Sequence, residues 1–430
     1  MKQRTLLLTF LALFGIVQVK ADVTINETNF PDENFRNYLL SQSYGIDGVI
    51  TDEEILGITE ISVESKNITS LKGIEYFTAL TMLFCYRNQL TSLDVSKNTA
   101  LIYLECYTNQ LTSLDVSQNT ALTMLFCYNN QLTSLDVSQN TALIYLECYT
   151  NQLTSLDVSK NTALTHLECE KNQLTSLDVS KNTALTSLRC GVNQLTSLDV
   201  SQNTALTELS CYKNQLTSLD VSKNTALAWL VCYENQLTSL DVSQNTMLTY
   251  LLCGENQLTS LDISQNTVLI YLECYTNQLT SLDVLQNTAL TYLSCGRNQL
   301  TSLNVSQNTA LTKLFCYGNQ IKGNEMDALV ESLPNISNGN LEVIFNENEG
   351  NEMTTVQVAA AKAKGWTPYY WDENEWNWKE YPGSTPSGIG ATLSDEGQQG
   401  NDVYYDLQGR RVVNPTKGMY ILNGRKVVIK

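Results

Sequence analysis

The sequence predicts an α/β-type repeat solenoid, mainly β, in which the chain winds through a stack of similar short coils. All twelve cysteines fall 21 residues apart, from Cys85 to Cys316. Leucines recur at set offsets from them, as Leu101 and Leu104 do before Cys106. A period of about 20 to 29 residues with leucines at fixed positions is typical of leucine-rich repeats. We therefore expect a right-handed leucine-rich repeat solenoid of twelve 21-residue coils, with N- and C-terminal caps and a small C-terminal β module.

Within each unit, LxxLxCxxN is expected to form a strand of the concave sheet and LTSLDVS the opposite wall, with Leu and Val pointing inward. The asparagine column from Asn88 to Asn319 is expected to bond backbone groups of adjacent coils as the chain turns. Changes of composition divide the chain into six segments. These are 1–21, a signal peptide; 22–79, an entry cap; 80–319, the repeats; 320–382, an exit cap; 383–401, a linker; and 402–430, the β module.

The first 21 residues indicate secretion. A basic start and an apolar run precede Val-Lys-Ala, and cleavage is expected after Ala21. The chain has a formal net charge of −18, and such an acidic surface repels nucleic acid and anionic lipid. No later segment is apolar enough to span a bilayer. We therefore expect neither a nucleic-acid partner nor membrane insertion.

The twelve cysteines are expected to be buried, reduced thiols. Equivalent residues of successive coils form a parallel ladder about 4.8 Å apart, and their side chains point the same way. A disulfide needs converging Cβ atoms about 3.8 Å apart. Each cysteine also occupies a position of the common repeat where leucine is buried, and a thiol packs there as a small hydrophobic group. The spacing does not suit zinc, and we expect no cofactor and no metal site.

Two acidic features raise the question of calcium. Residues 43–54 overlay on a calcium loop, with Asp47, Gly48 and Glu54 in place but Ser43 and Gly45 where carboxylates are expected. A relic turn is preferred, with a weak ion site as the alternative.

The second acidic feature is the aspartate column from Asp94 to Asp283. Ten like charges about 5 Å apart repel one another. Asx turns, in which each carboxylate accepts a backbone N–H, are the preferred compensation. Calcium bridging along the column is the alternative.

The caps are expected to combine helices with an aromatic hairpin. In the entry cap, FPDENFRNYLL predicts a short helix with Pro31 in its first turn. In the exit cap, NEMDALVESL and TTVQVAAAKAKG predict two helices around the strand LEVIF, and a hairpin turns at Asp372–Glu375. Four tryptophans are expected to pack within this cap, with a carbohydrate platform as the alternative: Trp366, Trp371, Trp376 and Trp378.

Catalytic motifs are not found in the sequence. The single histidine, His166, has no nucleophile elbow beside it, and no HExxH, P-loop or GxSxG occurs. Glu147 and Glu168 occupy one column of adjacent coils, about 5 Å apart, as the carboxylates of retaining glycosidases do. A strand face one repeat long is expected to supply neither a sugar pocket nor a raised carboxyl pKa. We expect no enzyme.

Three outward positions per coil are expected to form a binding face on the concave sheet. They hold aromatic side chains with polar tips, interleaved with acids, which is typical of protein-recognition and sugar-stacking surfaces. Twelve coils give a face roughly 58 Å long and near 900 Å² in area, comparable with about 800 Å² per partner in a standard interface. The predicted ligand-binding residues are Tyr103, Tyr107, Tyr145, Tyr149, Trp229, Tyr233, Tyr250, Tyr271, Tyr275, Tyr292, Glu147 and Glu168.

The alternative is that these tyrosines only stabilise the sheet through cross-strand contacts. Binding is preferred because tyrosine is replaced unevenly in the third outward column. The replacements are Gly191, Gly254, Gly296 and Glu170.

The unit LTSLDVSxNTALxxLxCxxNQ resembles the cysteine-ladder repeats of internalin-type bacterial surface proteins. The resemblance implies an adhesin that binds host or bacterial surface molecules through the concave face. The ending, from VYYDLQGRRV to KGMYILNGRKVVIK, resembles the C-terminal sorting domain of type IX secretion, in a shorter version that keeps Gly409, Arg410, Gly418 and Lys430.

Together these features predict a secreted adhesin on the surface of a Gram-negative bacterium, with a role in virulence. Its expected partner is a protein on a host or bacterial surface, with a glycan as the alternative ligand. A self-associating scaffold of the biofilm matrix or envelope, and a carbohydrate-binding module led by the exit cap, are the alternative functions.

Overall fold

The structure is a computed structural model that describes residues 22–345, 350–372, 375–384, 404–405, 411–412, 417–422 and 425–429. The predicted signal peptide and nearly all of the predicted linker lie outside these residues. The chain divides into two compact units, residues 1–237 and 238–430. Its repeats form a mainly β solenoid of about twelve coils, and the predicted fold class is confirmed.

The first unit begins with the entry cap. Strand β1 (Val23–Thr24) pairs antiparallel with β2 (Val49–Ile50). Helix α1 (Glu33–Ser41) follows β1, and helix α2 (Asp52–Gly57) follows β2. Asp32 is the N-cap of α1 and accepts a bond from the Phe35 N–H at 2.9 Å. Pro31 therefore precedes the N-cap residue of α1, and the prediction that it lies in the first turn is wrong. The second Asp32 oxygen accepts the Thr69 N–H at 2.8 Å, which ties the cap to the first coil.

Parallel strands of three residues follow, one per coil, and each pairs with the next in chain order. A short 3₁₀ helix (Ile74–Tyr76) lies between the first two. The strands of this unit are β3 (Glu60–Ser62), β4 (Met82–Phe84), β5 (Tyr103–Glu105), β6 (Met124–Phe126), β7 (Tyr145–Glu147), β8 (His166–Glu168), β9 (Ser187–Arg189), β10 (Glu208–Ser210) and β11 (Trp229–Val231).

The second unit continues the repeat and ends in the exit cap. Its parallel strands are β12 (Tyr250–Leu252), β13 (Tyr271–Glu273), β14 (Tyr292–Ser294), β15 (Lys313–Phe315), β16 (Gly339–Ile344) and β17 (Trp366–Asp372). Helices α3 (Asn324–Ser332) and α4 (Thr355–Ala363) precede β16 and β17, and β18 (Asn377–Glu380) pairs antiparallel with β17. The helices and hairpin predicted for this cap are thus present.

The C-terminal segment contains an antiparallel sheet of four short strands. They are β19 (Tyr404–Tyr405), β20 (Arg411–Val412), β21 (Gly418–Leu422) and β22 (Arg425–Ile429), in the order β20-β19-β21-β22. Of the residues that suggested a sorting domain, Gly409, Arg410 and Lys430 lie outside the described residues.

Each coil buries the same apolar set. In the coil that starts at Leu101, the side chains of Leu104, Cys106, Leu111 and Val116 are fully buried. All twelve cysteines are buried thiols, as predicted. Burial raises the pKa of the Cys106, Cys127 and Cys148 thiols well above the usual value, so they are poor nucleophiles and pack as part of the core.

Two asparagine columns join the coils. Asn109 Nδ2 donates to the carbonyls of Cys106 in its own coil and Cys85 in the previous one, both at 3.0 Å, and its Oδ1 accepts the Leu90 N–H. The hydrogen-bonding role of this column, from Asn88 to Asn319, was predicted. A second column with such a role, from Asn98 to Asn308, was not predicted. There Asn119 Nδ2 donates to the carbonyls of Val95 and Asn98.

Candidate functional site

The structure places every predicted ligand-binding residue on one surface of its unit, which we call the strand face. The first outward column, with Tyr103 and Tyr145, occupies the first residue of each strand, and Glu147 and Glu168 occupy the third. The remaining tyrosines lie two residues beyond a strand. All are half-buried except Trp229, which is 40% exposed. The predicted positions in the first unit are Tyr103, Tyr107, Tyr145, Tyr149, Trp229, Tyr233, Glu147 and Glu168, and those in the second are Tyr250, Tyr271, Tyr275 and Tyr292.

Many of these rings are half-buried because they stack on the ring of the next coil. In the first unit the ring centroids of Tyr107 and Tyr128 are 4.3 Å apart, and those of Tyr128 and Tyr149 are 4.2 Å apart. In the second unit Tyr271 and Tyr292 stack at 4.0 Å. Stacking covers the ring faces, so this surface offers ring edges and hydroxyl groups to a partner. The ladder and the binding interpretations are therefore compatible.

Some tyrosine hydroxyls are held by carboxylates of the middle column. Tyr103 donates to Glu105 Oε1 at 2.5 Å, and Tyr271 donates to Glu273 Oε1 at 2.6 Å. Burial, with this bond and the Glu273 charge, raises the pKa of Tyr271 to about 12. These hydroxyls therefore remain neutral donors at physiological pH, and the rings are held in one orientation.

The glycines of the third column have a packing explanation. A Cβ at Gly191 would lie 2.3 Å from Cε1 of Tyr212, and one at Gly254 would lie 2.7 Å from Cε1 of Tyr275. The ring of the following coil lies over the glycine in each case. Uneven replacement of tyrosine by glycine therefore reflects ring packing and is not independent support for a binding face.

A group of charged and polar side chains interrupts the aromatic columns of the first unit. We call this group the polar window; it consists of Glu168, Glu170, Arg189, Glu208 and Ser210. Arg189 lies between two carboxylates, with Nη2 2.7 Å from Glu208 and Nη1 3.5 Å from Glu168. Ser210 Oγ donates to Glu170 at 3.0 Å. Glu168, predicted to contact ligand, is thus already paired within the chain.

The expectation that this face cannot raise a carboxyl pKa is wrong for Glu147. Partial burial raises the pKa of Glu147 to about 7, the Glu168 charge adds to this effect, and Arg189 opposes it. Arg189 Nη1 lies 3.5 Å from Glu168, so Glu147 and Glu168 belong to a charge network with Arg189.

His166, Arg189 and Glu208 were not predicted as site residues. The His166 ring stacks on Tyr145 at 4.2 Å and continues the first aromatic column. Arg189 is the one cation in a middle column whose other members are acidic, aromatic, aliphatic or serine, and this departure was a signal available in the sequence.

The tryptophans of the exit cap do not all pack as predicted. Trp366 is fully buried and donates from Nε1 to the Pro334 carbonyl at 2.9 Å. Trp371 and Trp378 are half-buried with ring centroids 5.6 Å apart. Trp376 is 80% exposed, so the packing interpretation is wrong for this residue.

The acidic features of the sequence have structural roles. Asp115 Oδ1 accepts the Ser117 N–H at 2.9 Å, and this bond, first among several causes, lowers the pKa of Asp115. The predicted Asx turns are thus confirmed. In the entry loop, Glu54 closes a capping box with Thr51 at the start of α2. Within the described residues, no three His, Cys, Asp or Glu side chains are arranged to hold a metal ion.

Comparisons with known proteins were consistent with this architecture. No family model matches the chain. The solved functional domain of InlJ from Listeria monocytogenes, which includes a cysteine ladder, is 36% identical with a TM-score of 0.69, and the match covers 81% of this chain and 82% of that domain. This chain belongs to the internalin family.

Two further matches are also to internalins. Internalin J of Listeria monocytogenes serotype 4b (strain F2365) is 43% identical over 70 residues, which are 16% of this chain but only 8% of that protein. The structure of the internalin InlF from the same strain is 25% identical with a TM-score of 0.62, covering 80% of this chain and 96% of InlF. No helix among the described residues is long and apolar enough to cross a membrane.

Proposed function

We propose that this internalin-like chain is a secreted adhesin that binds a protein on a host or bacterial surface through its strand face. The observation that carries the proposal is the contrast between the two sides of the coils. The outer wall repeats the same Thr, Ser and Asp side chains, whereas the strand face varies between coils and holds half-exposed aromatic rings. Clustered tyrosines beside charged groups are what protein interfaces use as anchors.

The tyrosine stack of the second unit is the strongest anchor of such an interface. Tyr250, Tyr271 and Tyr292 follow one another in one column, with centroid separations of 5.6 and 4.0 Å. Their rings are already ordered by stacking, so binding would cost little side-chain entropy there. In the first unit the polar window around Arg189 would add charge complementarity, which steers association more than it strengthens it.

A glycan is the second candidate ligand, and the exposed Trp376 favours it. An exposed indole beside Trp371, at 6.5 Å and nearly perpendicular to it, offers an apolar face of the kind on which sugar rings stack. This surface lies in the exit cap, away from the tyrosine stack in sequence, so the two candidates are separable by mutation.

We also infer that signals at the two ends of the chain direct its export to the surface of a Gram-negative bacterium by type IX secretion. Support comes from the signal-like residues 1–21 and from the sorting-domain resemblance of residues 402–430. Roles in virulence, or as a self-associating biofilm scaffold, would follow from what the strand face binds.

The test is an adhesion assay with the purified chain on cultured epithelial cells, intact bacteria and immobilised extracellular-matrix proteins. The Tyr250→Ser, Tyr271→Ser, Tyr292→Ser variant should lose binding, because the anchor rings are removed. The matched control changes exposed outer-wall residues of neighbouring coils, Thr259→Ala, Thr280→Ala and Thr301→Ala, and should bind as wild type. Far-UV circular dichroism verifies the fold of each variant.

Binding that survives the tyrosine substitutions would contradict the proposal. If Trp376→Ala then abolished that binding, the glycan candidate in the exit cap would replace it.

A further inference from the structure

The sheet of the strand face continues into the exit cap through β16 and β17. In the strand register Asn340 pairs with Lys313 of β15, and Glu342 pairs with Phe315 of the same strand. These two residues of β16 therefore continue the first and middle outward columns of the second unit. On the other side, Tyr369 of β17 pairs with Glu342. The exit cap thus adds a polar pair, Asn340 and Glu342, to the strand face.

Glu342 carries a buried carboxylate that has almost no hydrogen-bond donors. The side chain is 8% exposed, and the carboxylate accepts one bond, from Asn340 Nδ2 at 3.5 Å. Among the residues that the structure describes, no cationic nitrogen lies within 4.0 Å of it. Burial of a charged group costs free energy unless the charge is paired and hydrogen-bonded. Glu342 therefore lacks the donors that a buried carboxylate needs.

The amide beside it has a similar deficit. The Oδ1 atom of Asn340 is buried and accepts no hydrogen bond within the described part of the chain. The other asparagine Oδ1 atoms in this condition belong to the Asn98–Asn308 column, whose side chains are fully buried between the coils. Asn340 differs from them because it occupies an outward position of the sheet. Two acceptor groups thus lie side by side on the strand face, and the only donor near them is the Asn340 amide itself.

Aromatic residues occupy the strand positions on both sides of Glu342. Its partners Phe315 and Tyr369 are half-buried. The face of an aromatic ring attracts cations, and the exit cap already contains one such contact, with Arg297 Cζ 4.5 Å from the centroid of the Phe345 ring. A sugar hydroxyl could donate to the acceptors but would leave the carboxylate charge unpaired. The surroundings of Glu342 therefore favour a cationic ligand over a neutral one.

We propose that Asn340 and Glu342, flanked by Phe315 and Tyr369, form a binding site for a guanidinium or alkylammonium group. We call these four residues the cation site. An N–H of the ligand donates a charge-assisted bond to the Glu342 carboxylate, and a second N–H donates to Asn340 Oδ1. Arginine and lysine side chains of a protein carry such groups, and so do free amines. The site is defined by its own chemistry and does not depend on the proposed adhesin function.

Lys313 is the cation of the chain that lies next to the site in the strand register. Its side chain is exposed and forms no ion pair among the described residues. Burial raises the pKa of Glu342, and the Lys313 charge opposes this effect. A cationic ligand at Glu342 would be repelled by Lys313. Lys313→Met should therefore strengthen binding of such a ligand.

Saturation-transfer NMR titrations of the purified chain with small probes test the site without any adhesion target. The cationic probes are N-acetyl-arginine methylamide, N-acetyl-lysine methylamide and the free amine 1,5-diaminopentane. The neutral control is N-acetyl-citrulline methylamide, which has the shape of the arginine probe without its charge. A cationic probe should bind with a dissociation constant on the order of millimolar, and citrulline about tenfold more weakly or less. Tighter binding of the diamine than of the amino-acid probes would identify a free amine as the ligand, and the reverse a protein side chain.

Substitutions locate the binding on the chain. Glu342→Gln removes the charge and keeps the shape, and should raise the dissociation constant of the best cationic probe about tenfold or more. Glu331→Gln, on the exposed side of α3, makes the same change of net charge away from the site and should leave it unchanged. Lys313→Met should lower the dissociation constant about two- to threefold. Far-UV circular dichroism verifies the fold of each variant.

Two results would overturn the proposal. One is equal binding of the arginine and citrulline probes, or equal binding of a cationic probe by wild type and Glu342→Gln. The other is a non-additive loss of stability near pH 8 in Lys313→Met and Glu342→Gln, because this would show that Lys313 is the partner of Glu342 and fills the site. Because no cell or matrix protein takes part, failure here leaves the adhesin proposal to its own test.

Discussion

The aromatic ring of Tyr212 lies directly over Gly191 of the preceding coil. A Cβ at Gly191 would approach Cδ1 and Cε1 of that ring to 2.4 and 2.3 Å. Gly191→Ala should therefore destabilise the chain by about 1–3 kcal/mol, because the ring must leave its position. Equilibrium urea unfolding measures the change.

Tyr212→Ala in the same chain should relieve much of the cost of Gly191→Ala, so the two changes should be strongly non-additive. Gly57→Ala is the matched control, because nothing lies within 4 Å of a Cβ built there. Additive effects of the two substitutions would show that the ring does not depend on the glycine.

The Asn109 amide satisfies backbone groups of two coils that are buried away from water. Asn109→Ala leaves the Leu90 N–H and the Cys85 carbonyl without these bonds, and should cost about 2–4 kcal/mol of unfolding free energy. Gln110→Ala, at the exposed neighbouring position, should change stability by less than about 0.5 kcal/mol. Similar thermal transitions for the two variants would contradict the role of this column.

The residue before the Asn88–Asn319 column adopts a left-handed backbone in many coils, including Val192 and Asn129, both at φ +52°. A β-branched side chain is strained in this conformation, whereas asparagine tolerates it. Val192→Asn should stabilise the chain by about 1 kcal/mol, and Asn129→Val should destabilise it by a similar amount. Chemical denaturation of both variants gives the comparison, and changes of the same sign would exclude backbone strain as the cause.

Glu342 is 8% exposed on β16, and its carboxylate accepts one long bond, from Asn340 at 3.5 Å. Burial raises the pKa of Glu342 from 4.5 to about 7. Between pH 4.5 and about 7 the folded chain therefore binds more protons than the unfolded chain. The free energy of unfolding should decrease as pH rises through this range.

Glu342→Gln should remove this dependence. The unfolding free energy of the variant should match that of wild type near pH 4 and exceed it by roughly 3 kcal/mol above pH 8. Melting temperatures across this pH range provide the measurement, with Glu331→Gln on the exposed side of α3 as the control for loss of a carboxylate. A constant difference between wild type and Glu342→Gln at every pH would contradict the raised pKa.

Periodicity alone predicted the positions of the strands, the buried thiols and the hydrogen-bonding role of the Asn88–Asn319 column. Each of these follows from what one coil must bury or bond, and the same demand recurs every 21 residues. The Asx turns of the aspartate column were equally accessible, because Asp115 reaches a backbone N–H only two residues away.

The amino-acid sequence by itself determined the repeat architecture, because leucine, cysteine and asparagine at fixed spacing admit one way of stacking coils. Only the tertiary structure decided how the outward side chains share space. The packing of Tyr212 over Gly191 depends on a neighbour in another coil, and so do the ion pairs of Arg189 with Glu168 and Glu208. The exposure of Trp376 and the burial of Trp366 likewise depend on neighbours in other coils or strands. Contacts between coils depend on rotamers and ring stacking, which the residue types at equivalent positions of the repeat do not specify.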